Sequence, residues 1–270
     1  MKKYFFRSMI FSGIAASLVT FQSCKDKDGD LNLFSISDDI ALGKQVVEQL
    51  ESDPTIKVVD SASHVAIYRY IYNLRDSVLV HNELNYEQEF SWRIRIIKDD
   101  STLNAFCTPG GYIYIYTALI RYLESEDQLA GVMGHEMAHA DKRHSTDALT
   151  RQYGLSTLFD IVFGKDKGQL IRVASQIKEL QYSRKHETEA DMLSVQWLYP
   201  TAYNAKGAAG FFQKLLDQGQ GSRTPEWLST HPSPDNRVQA ITDKWLSLGG
   251  KVGQTFTSRY QSFITDINKL

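Results

Sequence analysis

"GVMGHEMAHADKRH", residues 131–144, sets two histidines four apart with a glutamate beside the first. On a helix, positions four apart share one face, a turn above each other. His135 and His139 can then turn two imidazoles toward a single cation, and zinc accepts neutral imidazole nitrogen. Glu136 is rotated about 100° from His135 but only about 60° from His139, so it reaches a zinc-bound water without being a ligand. This is the H-E-x-x-H arrangement. Alone it is ambiguous, because two histidines and a glutamate also suit a solvated helix face. The neighbours Val132, Met133, Met137 and Ala138 argue for burial, and buried polar side chains need partners.

A catalytic zinc takes three protein ligands and keeps one position open. His144 lies about 140° further round the helix than His139 and points elsewhere, which suits a cap or a group behind the ligands. The longer metzincin continuation is absent, since Lys142 and Ser145 stand where it needs Gly and His. "YSRKHETEADMLSVQWL", residues 182–198, repeats the i, i+4 spacing with Glu187 and Asp191. Glu187 as third ligand completes a His, His, Glu site, and Asp191 then accepts the outer N–H of a ligating histidine. An exposed acidic helix, with Arg184 and Lys185 supplying the pairs, fits the same residues.

The chain has 270 residues, 42% of them apolar, which is enough for a real core. The formal net charge is −2. A weakly acidic chain without a basic stripe argues against nucleic acid as a partner. Residues 1–23 read as a signal peptide: "MKKYFFR" is basic, and the uncharged run 8–23 is too short and too polar to favour spanning a membrane. Cys24 stands where that run stops, as the lipidated residue does in bacterial lipoprotein signals. Phe21, Gln22 and Ser23 depart from the usual residues before such a cysteine. Residues 24–36, with the charged run "KDKDGD", read as a solvated, lipid-anchored linker. Cys107 is then the one thiol left, and no disulfide framework exists. A Cys24–Cys107 bridge would tie a loose tail to a strand.

From Ser37, a plausible N-cap, the pattern turns helical, and a second helix is expected over 61–80. "FSWRIRIIKDD" alternates as a strand does. "LNAFCTPGGYIYIYTALIRYL" reads as strand, Pro-Gly-Gly turn and strand. Ser125 with Gln128 predicts a capping box at the head of the helix that carries the two histidines. Further helices are expected near 147–163, 169–198, 205–218 and 234–248. The expectation is an α+β domain over 37–270, mostly helical, with a small sheet preceding the H-E-x-x-H helix.

Four stretches in order carry a resemblance: "NAFCTPGGYIYIYTALI", "GHEMAHADKRHS", "SRKHETEADMLS" and "STHPSPDNRVQAI". Over most of residues 37–250 the chain resembles the CAAX prenyl protease and HtpX-like group of zinc metallopeptidases, of gluzincin type. The resemblance implies one Zn2+ per subunit, with His135, His139 and Glu187 as ligands, Asp191 as the helix partner and Glu189 on another face in a structural role. It implies peptide-bond hydrolysis with Glu136 as the general base. It turns His231 toward the metal, either stabilising the oxyanion or closing the open position, where a loop-packing histidine is the plainer reading. Arg237 fits an anchoring role or a structural salt bridge.

In that family the strand at "NAFC" pairs with extended substrate, which makes Asn104 a substrate contact or a plain turn residue. The one uncharged run longer than 18 residues, 101–120, is the stretch read as a hairpin with its Pro-Gly-Gly turn and not a spanning helix, so the resemblance is to the soluble or lipid-anchored bacterial branch. That branch works in the cell envelope, here as a periplasm-facing or surface lipoprotein of the outer membrane. Its partners are protein or peptide substrates, with misfolded or unfolded envelope proteins the expected class, and a membrane reached through the lipid. A holdase with a metal-occupied, self-blocked cleft and little turnover remains the alternative.

Overall fold

Ser35 caps the first helix, α1 (Ile36–Glu51): its hydroxyl accepts from the Asp38 amide while the Asp38 carboxylate accepts from the Ser35 amide. This reciprocal box starts the helix two residues ahead of the expected Ser37, because a carboxylate stands three residues after Ser35 whereas Ile40 stands three after Ser37. The computed structural model describes residues 34–79, 84–218, 226–232 and 236–270. The leader, Cys24 and most of the expected linker lie outside the described residues.

After α2 (Val65–Leu79) come three strands, β1 (Arg93–Ile97), β2 (Ala105–Thr108) and β3 (Tyr112–Tyr116). β2 and β3 form the expected antiparallel hairpin. Gly110 and Gly111 turn it at φ +79° and +80°, where a side chain would be strained. β1 joins on the other side of β3 in parallel, giving the order β1-β3-β2 with β2 at an edge. The alternation Tyr-Ile-Tyr-Ile-Tyr in β3 divides the sheet's two faces, since successive side chains point oppositely. Ile113 and Ile115 join the larger core with Ile94, Ile96, Ala105 and Cys107. Tyr112, Tyr114 and Tyr116 join a second core with Phe106 and α1.

Then follow α3 (Thr117–Tyr122) and α4 (Glu126–Asp141), which carries the H-E-x-x-H residues. The capping box expected at Ser125 does not form. The Ser125 hydroxyl turns to Asp127, and Gln128 accepts from the Glu124 amide instead. The amides of Glu126 and Asp127 donate to the Thr255 carbonyl at 3.1 and 3.3 Å, so a distant segment takes donors that a local cap would otherwise satisfy. From Leu129 to Asp141 every residue of α4 is buried, as a helix enclosed on all sides must be.

The helix expected over 147–163 is two, α5 (His144–Tyr153) and α6 (Leu155–Val162), parted by Gly154 at φ +80°. The stretch 169–198 also divides, into α7 (Lys167–Gln176), a 3-10 turn (Ile177–Glu179) and α8 (Arg184–Leu198). Ser183 caps α8 by accepting from the His186 amide at 3.2 Å. The chain continues through α9 (Gly207–Gln218), α10 (Glu226–Thr230), α11 (Arg237–Ser247) and α12 (Thr257–Ile267), the last of which the sequence pattern did not suggest. The described domain is α+β and mostly helical, with a small sheet ahead of α4.

Two glycines of the opening motif bring α4 close to its neighbours. A Cβ on Gly131 would lie 2.7 Å from the Ala208 amide nitrogen of α9, and one on Gly134 would lie 3.0 Å from Ser194 Oγ of α8. Ser194 Oγ also donates to the Gly131 carbonyl at 2.8 Å. Gly131→Ala is therefore expected to cost about 1–3 kcal/mol, the range for overpacking, because backbone rather than a flexible side chain stands in the way. Equilibrium urea unfolding measures it, and a variant as stable as the parent would contradict this packing.

Candidate metal centre

α4 presents His135 and His139 on one face, and α8 presents Glu187 and Asp191 opposite. The approach permitted by Gly134 makes the two sets meet. His139 Nε2 lies 3.0 Å from His135 Nε2 and 3.3 Å from Glu187 Oε1. Glu187 Oε2 lies 3.5 Å from His135 Nε2. His231, just after α10, sets Nδ1 3.0 Å from Glu187 Oε1 and 3.3 Å from His135 Nε2. One ligand atom from each of His135, His139, Glu187 and His231 falls within 4.8 Å of all the others. Glu136 and these four are fully buried, each at 0% exposure.

The outer nitrogens decide what the inner ones can do. His135 Nδ1 stands 2.9 Å from Asp191 Oδ1. An ionised carboxylate only accepts, so that nitrogen carries the proton and His135 Nε2 is left with a lone pair. Asp191 is itself gripped by Arg237, whose Nη2 donates at 2.7 Å. Arg237 Nη2 also lies 3.2 Å from Glu187 Oε2, which makes Arg237 the centre of a buried salt bridge. His139 Nδ1 faces His144 Nδ1 at 2.9 Å. His144 thus stands behind a histidine of the cluster, with its Nε2 3.4 Å from Glu189 Oε2. The Lys142 ammonium holds the other oxygen of Glu189 at 3.4 Å.

Burial pushes the pKa values of His135 and His139 well below the usual imidazole range, which keeps them neutral. Burial opposes ionisation of Glu187, but His231 and His139 outweigh it and hold its pKa well below the ordinary value. For His231, burial pulls downward and the carboxylates of Glu187 and Glu136 pull upward more strongly. Burial raises Asp191 to about 6 against the pull of Arg237. Burial also raises Glu136 to about 7. Neither Glu136 oxygen accepts a hydrogen bond. His231 Nε2 stands 3.4 Å from Oε1, too poorly aligned for one.

These residues fit a cation. With the His139 proton on Nδ1, its Nε2 and that of His135 face each other as lone pairs 3.0 Å apart, a repulsion that a cation between them would relieve. Glu187 Oε2 is a buried oxygen that accepts no hydrogen bond, with Arg237 Nη2 beside it at 3.2 Å. Two neutral nitrogens and a carboxylate form a donor set suited to zinc.

Aromatic rings close the site. Tyr182 stacks on His139 at 3.9 Å between ring centroids, and Trp227 stacks on His231 at 4.2 Å. Asn104 is buried just before β2. Its carboxamide donates to the Lys178 carbonyl and accepts from the Ala105 amide and the Thr230 hydroxyl. The outward carbonyls of β2 are met by His231 Nε2 at Ala105 and by the Ser145 hydroxyl at Cys107. A cavity of about 500 Å³ is lined in part by Asn104 but touches none of the five buried site residues. Sequence reasoning passed over Tyr182 and Trp227; only their places beside the motif histidines mark them.

A family model described as "Peptidase family M48" matches residues 72–244. The chain is 30% identical over 162 residues to the mitochondrial metalloendopeptidase OMA1 of Arabidopsis thaliana, covering 60% of this chain and 33% of that protein. It is 28% identical over 229 residues to the beta-barrel assembly-enhancing protease of Escherichia coli (strain K12), covering 76% of this chain and 43% of that protein. The corresponding protein of Yersinia pestis is 29% identical over 220 residues, with the same coverage. The chain thus spans less than half the length of each of these curated relatives.

Proposed function

The chain belongs to peptidase family M48, and from that premise we propose that it is a zinc-dependent endopeptidase acting on misfolded or unfolded proteins of the bacterial cell envelope. The observation that carries this reading is the convergence of two imidazole nitrogens and the Glu187 carboxylate from separate helices, beside a buried Glu136 that accepts no hydrogen bond. Two relatives, a metalloendopeptidase and a beta-barrel assembly-enhancing protease, support the reaction. His135, His139 and Glu187 would hold the metal. When bound, zinc supplies a Lewis acid that acidifies water and polarises a carbonyl.

The chain's own groups do the rest. Glu136 takes the proton of the attacking water and delivers it to the leaving amine. Asp191, backed by Arg237, keeps the His135 proton on Nδ1. His231, withdrawn with α10, offers a ring N–H to the oxyanion; in the observed position it fills the space beside Glu187. Substrate adds as a strand along β2 only after the side chains on Ala105, Cys107 and Asn104 give way. Asn104 then becomes free to contact it.

The full burial of the site favours a second reading, a holdase with a self-blocked cleft. Digestion of casein or an unfolded envelope protein, with and without chelator, separates the two. Cleavage that stops when the metal is removed is expected; binding without cleavage selects the holdase. We place the protein at the envelope membrane through a lipid on Cys24, most simply in the outer membrane. Among the described residues no helix is long and apolar enough to cross a membrane.

A further inference from the structure

His139 has two hydrogen-bonding arrangements, and only one leaves it a metal ligand. Its Nδ1 and the Nδ1 of His144 are 2.9 Å apart, and one proton lies between them. If His144 donates, the His139 proton moves to Nε2. That N–H then faces His135 Nε2 at 3.0 Å and Glu187 Oε1 at 3.3 Å, and the cluster is satisfied without a metal. If His139 donates, its Nε2 keeps the lone pair a cation needs. His144 must then accept at Nδ1 and carry its own proton on Nε2.

Glu189 selects between the two. Its carboxylate lies 3.4 Å from His144 Nε2 and rewards the arrangement in which that nitrogen bears the proton. Lys142 holds the other Glu189 oxygen, and the His186 ring stacks on His144 at 4.0 Å with 6° between planes, fixing the ring's orientation. We propose that Glu189, acting through His144, is a positioning pair that sets the tautomer of His139 and presents its Nε2 to the metal. α8 thereby supplies a ligand in Glu187 and an orienting carboxylate for each α4 histidine: Asp191 directly for His135, Glu189 through a relay for His139. The inference rests on the metal-centre reading above; it gives Glu189 a role beyond the structural one the resemblance implied, and makes specific the place behind the ligands that the sequence allowed His144.

The test is zinc affinity of the full chain, measured by competition with a chromogenic chelator. Glu189→Met, which fills the space without an acceptor, and His144→Phe are each expected to weaken zinc binding by about 10–100-fold, as loss of an outer partner does. Glu189→Gln keeps an acceptor oxygen and is expected to recover most of that loss. The melting temperature of the chelator-treated protein is expected to fall to a similar extent in Glu189→Met and Glu189→Gln, since both lose the ion pair with Lys142, so the difference between the two variants is read in zinc affinity. Parental affinity in Glu189→Met overturns the proposal, as does equal weakening in Met and Gln variants. Should His144→Phe not fold, the Glu189 pair decides alone, because that side chain is 22% exposed. A parent chain that binds no zinc removes the metal centre itself, a different failure from a parent that binds zinc and ignores Glu189.

Discussion

Glu136→Gln leaves the chain folded and metal-loaded and lowers peptide hydrolysis by about 10²–10⁴-fold, the range a general base contributes. The substitution preserves shape, and Glu136 is fully buried. Both carboxylate oxygens are buried and accept no hydrogen bond, and burial has raised the pKa to about 7. The fold therefore already tolerates a neutral group here, and a neutral amide costs little stability. What the amide lacks is a basic oxygen. It cannot take a proton from water, nor return one to the departing amine. The variant's zinc content is expected to match the parent, since Glu136 contributes no atom to the four-residue ligand cluster. Turnover of an unfolded substrate at the parental rate would remove Glu136 from the chemistry and with it the proposed mechanism.

Glu187→Gln is expected to strip the metal. The loss of affinity should exceed the roughly 10–100-fold that an outer partner is worth, because the carboxylate supplies both a donor atom and the negative charge that offsets the cation. The fold should survive. Arg237 loses its 3.2 Å contact to Glu187 Oε2 but keeps Asp191 at 2.7 Å, and His231 loses its 3.0 Å partner but keeps Glu136 at 3.4 Å, so each buried cation retains a carboxylate. Metal analysis of purified variant and parent reads the result directly. Unchanged zinc content would take Glu187 out of the ligand set and leave the α8 carboxylates with a structural role only.

These expectations depend on features that differ in how far they could be read from the chain alone. The hairpin was legible, since Pro109, Gly110 and Gly111 interrupt two alternating runs and only glycine suits the positive φ at the turn. So was the burial of α4, from the apolar residues on either side of His135. The cap at Ser125 was misleading: the Ser125 hydroxyl turns to Asp127 and Gln128 to the Glu124 amide, while the Thr255 carbonyl, over a hundred residues away, takes the amides of Glu126 and Asp127. The breaks at Gly154 and at Ile177–Glu179 were missed because a periodic apolar pattern runs across them. α12 was missed because its few inward residues, Tyr260, Phe263 and Ile267, are too sparse to stand out.

By itself the sequence determined which side chains share a helix face. His135 with His139 and Glu187 with Asp191 follow from 3.6 residues per turn, a geometry the backbone enforces locally. Only the tertiary structure decided that these two faces meet, that His231 arrives beside them and that Glu189 stands behind His144. Those distances are set by how closely helices pack at Gly131 and Gly134 and by which buried donors find acceptors. Neither depends on the spacing of residues along the chain.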